Sequence, residues 1–531
     1  MDTNCLDEKV LAFHNLTQLQ SLEITCSSLV LDERHLRMLT SLKSLTIDGS
    51  SITFNPLESR SDIKWHLSVE RLCISKWRSI GKDLTQLLCH LPKLSYLDIK
   101  YCDELTGLCV AVEQHQTTVV MELEDNQQQE VAEDQSEEEE MVTQQSVDQQ
   151  DEDGLLLFPA HLSDSLRELL IMQCCELILV PPPLHNGHDH EGWGLQALRS
   201  LERLHISYCS KFLSTYNTST SCFPPSLQYF DIWYCWSTKG CKMEFLSNLS
   251  SLTTLYIAGD DLTCEGMWPL LTHGQLHTLI VYDAPKFFAG LDPILGLQEP
   301  QLVLLKRSFK LQELHTDDMS GFLVKPICSL LSSSLTHILF LDNDVAERFT
   351  EEQEEALQLL TSLQYLEFSG CEKLQCLPVG LHRLTNLKRL DIWDCPSIQS
   401  LPKGSLPSSL EELQVNDCKK LQCLPEGLHR LTNLKRLQIW KCPSIQSLPK
   451  GGLPSTLEKL HNLFGNKGHR LGFVHSFSLV ELSKPSMHRS CHTKVEAIIK
   501  NPRLDRKFWE VLPLMMSTDY IWSYRNGCQI Y

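Results

Sequence analysis

The chain is predicted to fold as an α/β solenoid: an arc of stacked repeats with a parallel β-sheet on the concave face and a mostly irregular or short-helical convex side. Three observations predict it. Cys371–Gly404 (CEKLQCLPVGLHRLTNLKRLDIWDCPSIQSLPKG) and Cys418–Gly451 (CKKLQCLPEGLHRLTNLKRLQIWKCPSIQSLPKG) lie 47 residues apart and differ at only four positions. Each unit divides into two halves ending in L-x-x-L-x-I/V-x-x-C, which gives an elementary period of about 23–24 residues. The same frame then recurs nearly from end to end. Repeats of this kind bury their apolar faces only against their neighbours, and the period lies inside the leucine-rich-repeat range of roughly 20–29 residues.

The frame begins with Leu19-Leu22-Ile24, Leu42-Leu45-Ile47, Val69-Leu72-Ile74 and Leu94-Leu97-Ile99-Cys102. After a gap come Leu166-Leu169-Ile171-Cys174, Leu201-Leu204-Ile206-Cys209 and Leu227-Phe230-Ile232-Cys235. Looser copies at Leu252, Leu276, Leu311 and Leu335 lead to clean ones at Leu363, Leu387, Leu410 and Leu434, with a degraded unit at Leu457-Leu460. The L-x-I step has period 2, so both residues point to one side of a short strand. The Cys falls at the turn out of the strand, where a small, buried thiol can face unpaired backbone. Leu-Pro steps at Pro378, Pro402, Pro425 and Pro449 favour extended or turn backbone on the return path, with short helical turns at Leu381–Leu387 and Leu428–Leu434.

Four segments follow: an N-terminal repeat block (1–110), an acidic Gln/Glu-rich insertion (111–154), a second repeat block (155–460) and a non-repeat tail (461–531) that serves as a cap or is unrelated to the solenoid. Repeats start by Leu16 without a capping segment, as though an upstream domain had been removed. Net charge is −20, but Glu113–Asp153 carries fifteen acids and no Lys or Arg, leaving the rest at roughly −5. That composition predicts a disordered, solvated loop, or an electrostatic flap against a basic surface. No broad basic field for nucleic acid remains. MDTNCLDEKV lacks the character of a signal segment, and no apolar run reaches the ~18 residues of a membrane span. The expected location is cytoplasmic, including exchange with the nucleus or peripheral attachment at the plasma membrane. Many of the 22 cysteines recur at one place in the frame, which suits reduced structural thiols better than disulfides, and sequons at Asn15, Asn217 and Asn248 are common by chance.

GLHRLTNLKRLDIWDCPSIQSLPKG, LPSSLEELQVNDC and FPAHLSDSLRELLIMQC resemble the leucine-rich region of plant intracellular nucleotide-binding leucine-rich-repeat disease-resistance proteins of the coiled-coil type, over roughly Leu16–Leu460. The resemblance implies a recognition module that binds a pathogen effector, a guarded host protein or its own nucleotide-binding switch domain. The family's G-x-x-x-x-G-K-[ST] loop is absent, so no nucleotide cofactor is expected on this polypeptide. A second class stays open, a leucine-rich-repeat substrate adaptor of a ubiquitin ligase; an F-box-like helical domain encoded upstream would mark it.

In the frame, the x positions beside the buried pair are predicted to face out on the concave sheet. These are Arg389, Asp391, Trp393 and Asp394 in one copy and Arg436, Gln438, Trp440 and Lys441 in the other. The four differences between copies are Glu372/Lys419, Val379/Glu426, Asp391/Gln438 and Asp394/Lys441, none on a core Leu, Ile or Cys. They read either as drift of exposed positions or as diversification of a recognition surface. Trp233, Trp393 and Trp440 share one frame position, and Tyr101, Tyr208 and Tyr234 the next. Such aromatics are interface anchors, or they pack laterally on one another. His185, His188 and His190 lie in a Gly-rich loop after three prolines, a mobile polar segment or a weak metal candidate, and no C-x-x-C pair supports zinc. Neither a G-x-S-x-G elbow nor an H-E-x-x-H helix occurs, and no enzyme activity is expected. Deleting Glu113–Asp153 tests the insertion: unchanged partner affinity at low salt fits a solvated loop, and altered affinity identifies a flap.

Overall fold

A computed structural model describes residues 15–25, 30–49, 51–53, 65–111, 152–180, 194–214, 222–235, 243–290, 308–402, 406–445, 449, 451–461 and 476–478. The histidine loop, nearly all of the acidic insertion and most of the tail lie outside the described residues. The strands in chain order begin with β1 (Ser21–Thr25), β2 (Val30–Asp32), β3 (Ser44–Asp48), β4 (Ser51–Thr53), β5 (Arg71–Ser75), β6 (Tyr96–Lys100), β7 (Gly107–Val110) and β8 (Leu155–Phe158). Next come β9 (Glu168–Met172), β10 (Ile178–Leu179), β11 (Arg203–Ser207), β12 (Tyr229–Trp233), β13 (Thr254–Ala258), β14 (Thr278–Tyr282) and β15 (Glu313–Thr316). The last are β16 (His337–Leu341), β17 (Tyr365–Ser369), β18 (Arg389–Trp393), β19 (Glu412–Asn416), β20 (Arg436–Trp440), β21 (Lys459–His461) and β22 (Ser476–Ser478).

One strand per repeat enters a single seventeen-stranded sheet, and the strand sits where the frame predicts it in every copy from Leu22 to Leu460. Neighbours pair in parallel without any shift of register: Leu366 opposes Leu390, Leu390 opposes Leu413, and Leu413 opposes Leu437. Period 2 then sends the Leu and Ile/Val of every strand to the same side, where they form one buried cluster running from Ile24 to Leu457. The exception to parallel pairing is the last strand, β22, which runs antiparallel to β21 and satisfies backbone groups at that sheet edge.

The Cys of each clean frame is buried beneath the end of its strand. Cys235 Sγ lies 3.1 Å from the Trp233 carbonyl and 3.3 Å from that of Ile206, and its single S–H, shared between them, ties its own turn to the preceding strand. Burial pushes the Cys235 thiol up to about 12, which keeps it protonated as a donor. The described cysteines are free thiols. Between repeats, Asn386 and Asn433 of the L-T-N-L step each donate from Nδ2 to a carbonyl of the preceding repeat at 2.8 Å.

The return path is mostly irregular, as predicted, with short helices. The helical turns span Val379–Arg383 and Leu428–Arg430, starting earlier or ending sooner than the sequence boundaries because the following Leu384 and Leu431 turn inward to the core. Cys376, Ser400 and Cys423, beside the Leu-Pro steps, are linked by single parallel bridges. A three-stranded parallel sheet, β10-β7-β8, was not anticipated. It brackets the acidic insertion, since β7 ends just before it and β8 follows it. The helix Gly81–Cys89 packs there through Leu84, Leu87 and Leu88, at helical spacing. Gly81 is required for that approach: a Cβ would stand 2.5 Å from the Leu155 carbonyl oxygen.

If the register is the source of stability, Leu390→Ala should cost about 2–5 kcal/mol in denaturant unfolding, through lost burial and the cavity left behind. Gln414→Ala, on the opposite face of the adjacent strand, should stay within about 0.5 kcal/mol.

Candidate protein-binding surface

Zero register aligns the outward side chains into rows across the sheet. The first row runs Glu313, His337, Tyr365, Arg389, Glu412, Arg436; the second His315, Leu339, Glu367, Asp391, Gln414, Gln438. The third ends Ser369, Trp393, Asn416, Trp440. Opposed residues in neighbouring strands lie roughly 5 Å apart, so long side chains in a row pack on one another.

That lateral packing corrects the prediction for Asp391. It is not an exposed ligand contact but fully buried, at 0% exposure. Its carboxylate accepts from Arg389 Nε at 3.0 Å and Nη2 at 2.7 Å, and from the Tyr365 hydroxyl at 3.0 Å. The Arg389 guanidinium also lies 5.0 Å from the centre of the Tyr365 ring. Paired with Asp391, Arg389 is held above its ordinary value. The single proton of the Tyr365 hydroxyl is shared with Glu367, whose carboxyl is raised because burial disfavours its charge. Tyr365 and Glu367 belong to this cluster and were missed by the sequence reading. The recurring L-D-I or F-D-I core of β6, β12 and β18 is the signal that locates such carboxylates: Asp98 and Asp231 are buried too. In the near-copy, Gln438 is half-buried and its Nε2 donates to Asn416 Oδ1 at 3.2 Å.

A second correction concerns the residue after each strand. Tyr101, Tyr208, Tyr234, Asp394 and Lys441 do not lie on the flat sheet; each has a left-handed backbone, with φ between 46° and 55°. The N–H groups of Tyr101, Tyr208, Tyr234 and Asp394 add one more rung to the ladder, as in Tyr208 to the Trp233 carbonyl (2.8 Å) and Asp394 to the Asn416 carbonyl (3.0 Å). The chain then turns sharply and drives the Cys inward. For a non-glycine residue this conformation costs roughly 1–2 kcal/mol, and Gly370, with φ 65°, occupies the same place after β17. The tyrosines therefore form a rim. Tyr208 and Tyr234 stack at 5.2 Å, and the Tyr234 hydroxyl donates to Asp283. Tyr101 is exposed.

The tryptophans divide. Trp233 is half-buried and packs edge-on against Tyr282 at 6.1 Å, the lateral alternative. Trp393 and Trp440 stay 38% and 43% exposed at the ends of β18 and β20. Asn416 lies between them in register, 2% exposed, and its Nδ2 has no hydrogen-bond acceptor. Two indoles thus stand two strand spacings apart, roughly 10 Å, over a buried amide donor. Arg436 and Lys441 are exposed beside Trp440, and Lys441 Nζ lies 4.3 Å from the centre of its ring. Among the four pairs that differ between copies, Glu372/Lys419, Val379/Glu426 and Asp394/Lys441 are exposed in both.

The two copies should therefore respond differently to loss of equivalent side chains. Asp391→Ala should cost on the order of 2 kcal/mol in urea unfolding, below the roughly 3–5 of a fully buried pair because Arg389 is 40% exposed. Gln438→Ala should cost under about 1 kcal/mol. Equal losses would contradict the structural role assigned to Asp391.

Residues 334–464 match the family model of leucine-rich repeats of plant disease resistance protein RPS2-like, which includes both tryptophan strands. No curated protein sequence matches the chain. Among solved structures, a leucine-rich-repeat protein of Leptospira interrogans is similar with a TM-score of 0.42 and 17% identity, covering 84% of this chain and 95% of that one. The TLR13–ssRNA13 complex is similar with a TM-score of 0.44 and 18% identity, covering 84% of this chain and 59% of that one. Among the described residues no helix is long and apolar enough to cross a membrane. The disease-resistance repeat match and the open parallel sheet support a protein-interaction repeat module.

Proposed function

We propose that this chain is the protein-recognition module of a plant innate-immune receptor, acting inside the cell and binding a pathogen effector, a host protein or its own nucleotide-binding switch domain through the concave sheet. The observation that carries the proposal is the pair of exposed indoles, Trp393 and Trp440, flanking the buried donor of Asn416. Large aromatics left open on a rigid sheet are the groups that anchor protein interfaces. The match to disease-resistance repeats spans this same stretch. Around the indoles, the duplicated unit keeps its buried frame and exchanges charge at Asp394/Lys441, which alters the surface offered to a partner without touching the core.

The test uses a partner selected on the wild-type chain from a display library of host and effector proteins. Trp393→Ala combined with Trp440→Ala should weaken its binding by about 30-fold or more, the equivalent of one anchor of about 2 kcal/mol. The melting temperature should not move, since both side chains are exposed. Equal binding by the double variant would refute the role of the indoles.

A further inference from the structure

Far along the same sheet from Trp393 and Trp440, a hollow of about 140 Å³ opens over β9, β11 and β12. One water needs only roughly 10–15 Å³ of such space. Its polar wall comes from Glu168, Arg203, His205, Tyr229 and Asp231, with Leu170 beside them. Arg203 is already engaged: its Nε lies 3.7 Å from Glu168 Oε1, and its guanidinium lies 4.3 Å from the centre of the Tyr229 ring. His205 is engaged as well. Its Nδ1 lies 2.6 Å from Asp231 Oδ2, and its Nε2 lies 3.0 Å from Ser207 Oγ.

The order Asp231–His205–Ser207 matches the hydrogen-bond relay that activates a nucleophilic serine. Ser207, however, is 1% exposed, so its hydroxyl is closed to an acyl substrate and the relay serves to fix the imidazole. One group is left over. Asp231 is 7% exposed, and its Oδ1 is buried with no donor. A buried acceptor without a donor is costly, and more so when it carries charge. Glu168 has Arg203 as counter-charge, whereas the contact Asp231 makes with His205 is through Oδ2 and leaves Oδ1 without a partner. The buried spare group of the hollow is an anionic acceptor, which suits a cation better than an anion.

We propose that this hollow is a subsite for the ammonium or guanidinium group of a basic side chain presented by a protein partner, with the Asp231 carboxylate as its counter-charge and Leu170 against its aliphatic stem. The proposal rests on the concave sheet being a protein-binding face, and it narrows the partner to one that offers a lysine or arginine to β9, β11 and β12.

The test uses the full chain with ¹³Cε1-labelled histidine. The His205 resonance, assigned with His205→Gln, is followed during titration with Nα-acetyl-lysine methylamide. A saturable shift is expected with the lysine derivative and with its arginine counterpart, and none with the norleucine or glutamate derivatives. Asp231→Asn should weaken the lysine response at least tenfold, while Trp393→Ala with Trp440→Ala should leave it intact, which separates this subsite from the tryptophan site. An equal response to norleucine would overturn the proposal without the need for a folded variant, and so would full binding by Asp231→Asn.

Discussion

Everything in this molecule depends on one constraint: neighbouring strands pair residue for residue, with no shift, from β1 to β21. Side chains alternate across a strand, so a one-residue slip anywhere would turn a Leu-x-Ile pair out to solvent and an Arg or Asp into the core. The fixed register explains the continuous apolar cluster from Ile24 to Leu457 and the cysteines stacked under the strand ends. It also explains why the near-copies at Cys371–Gly404 and Cys418–Gly451 keep their leucines, isoleucines and cysteines while changing elsewhere. A change in the frame is felt by two neighbouring repeats, and a change on the open face by few residues.

The same register organises the open face and limits what it offers. Rows of polar side chains about one strand spacing apart bind each other before they bind anything else. Arg71 lies over Tyr96, Arg203 over Tyr229 and Arg389 near Tyr365, and each tyrosine of these pairs has an aspartate in the second row close by. Carboxylates enclosed in this way, such as Asp391, are parts of the scaffold. What the rows leave unpaired includes two exposed indoles beside an amide donor at one place, and a carboxylate oxygen in a hollow at another.

The fold was legible almost completely from the sequence because period 2 within a strand and a period near 23 between strands are both written in Leu, Ile and Cys. The helical turns at Val379–Arg383 and Leu428–Arg430 were legible in place but not in extent, since the inward turn of Leu384 and Leu431 ends them. The small sheet β10-β7-β8 was not legible, as its residues pair outside the repeat frame. The surface was legible only in part. Exposure of Trp393 and Trp440 follows from the frame, but the burial of Asp391 depends on Tyr365, 26 residues earlier, reaching across the strand boundary. The rim position of Tyr208 and Tyr234 depends on the left-handed turn after the strand, hinted at by Asp283, Asp342, Asp394 and Asp417 at the equivalent places. Aspartate tolerates that conformation better than most residues.

The central claim is that the frame builds the core and the exposed indoles meet the partner. Hydroxyl-radical footprinting of the intact chain, with and without a bound partner, tests it most directly. In the free chain Trp393 and Trp440 should oxidise readily while Trp77, 2% exposed, stays protected. With partner bound, Trp393 and Trp440 should become protected together. Slow oxidation of both in the free chain, or unchanged oxidation in the complex, would contradict the account.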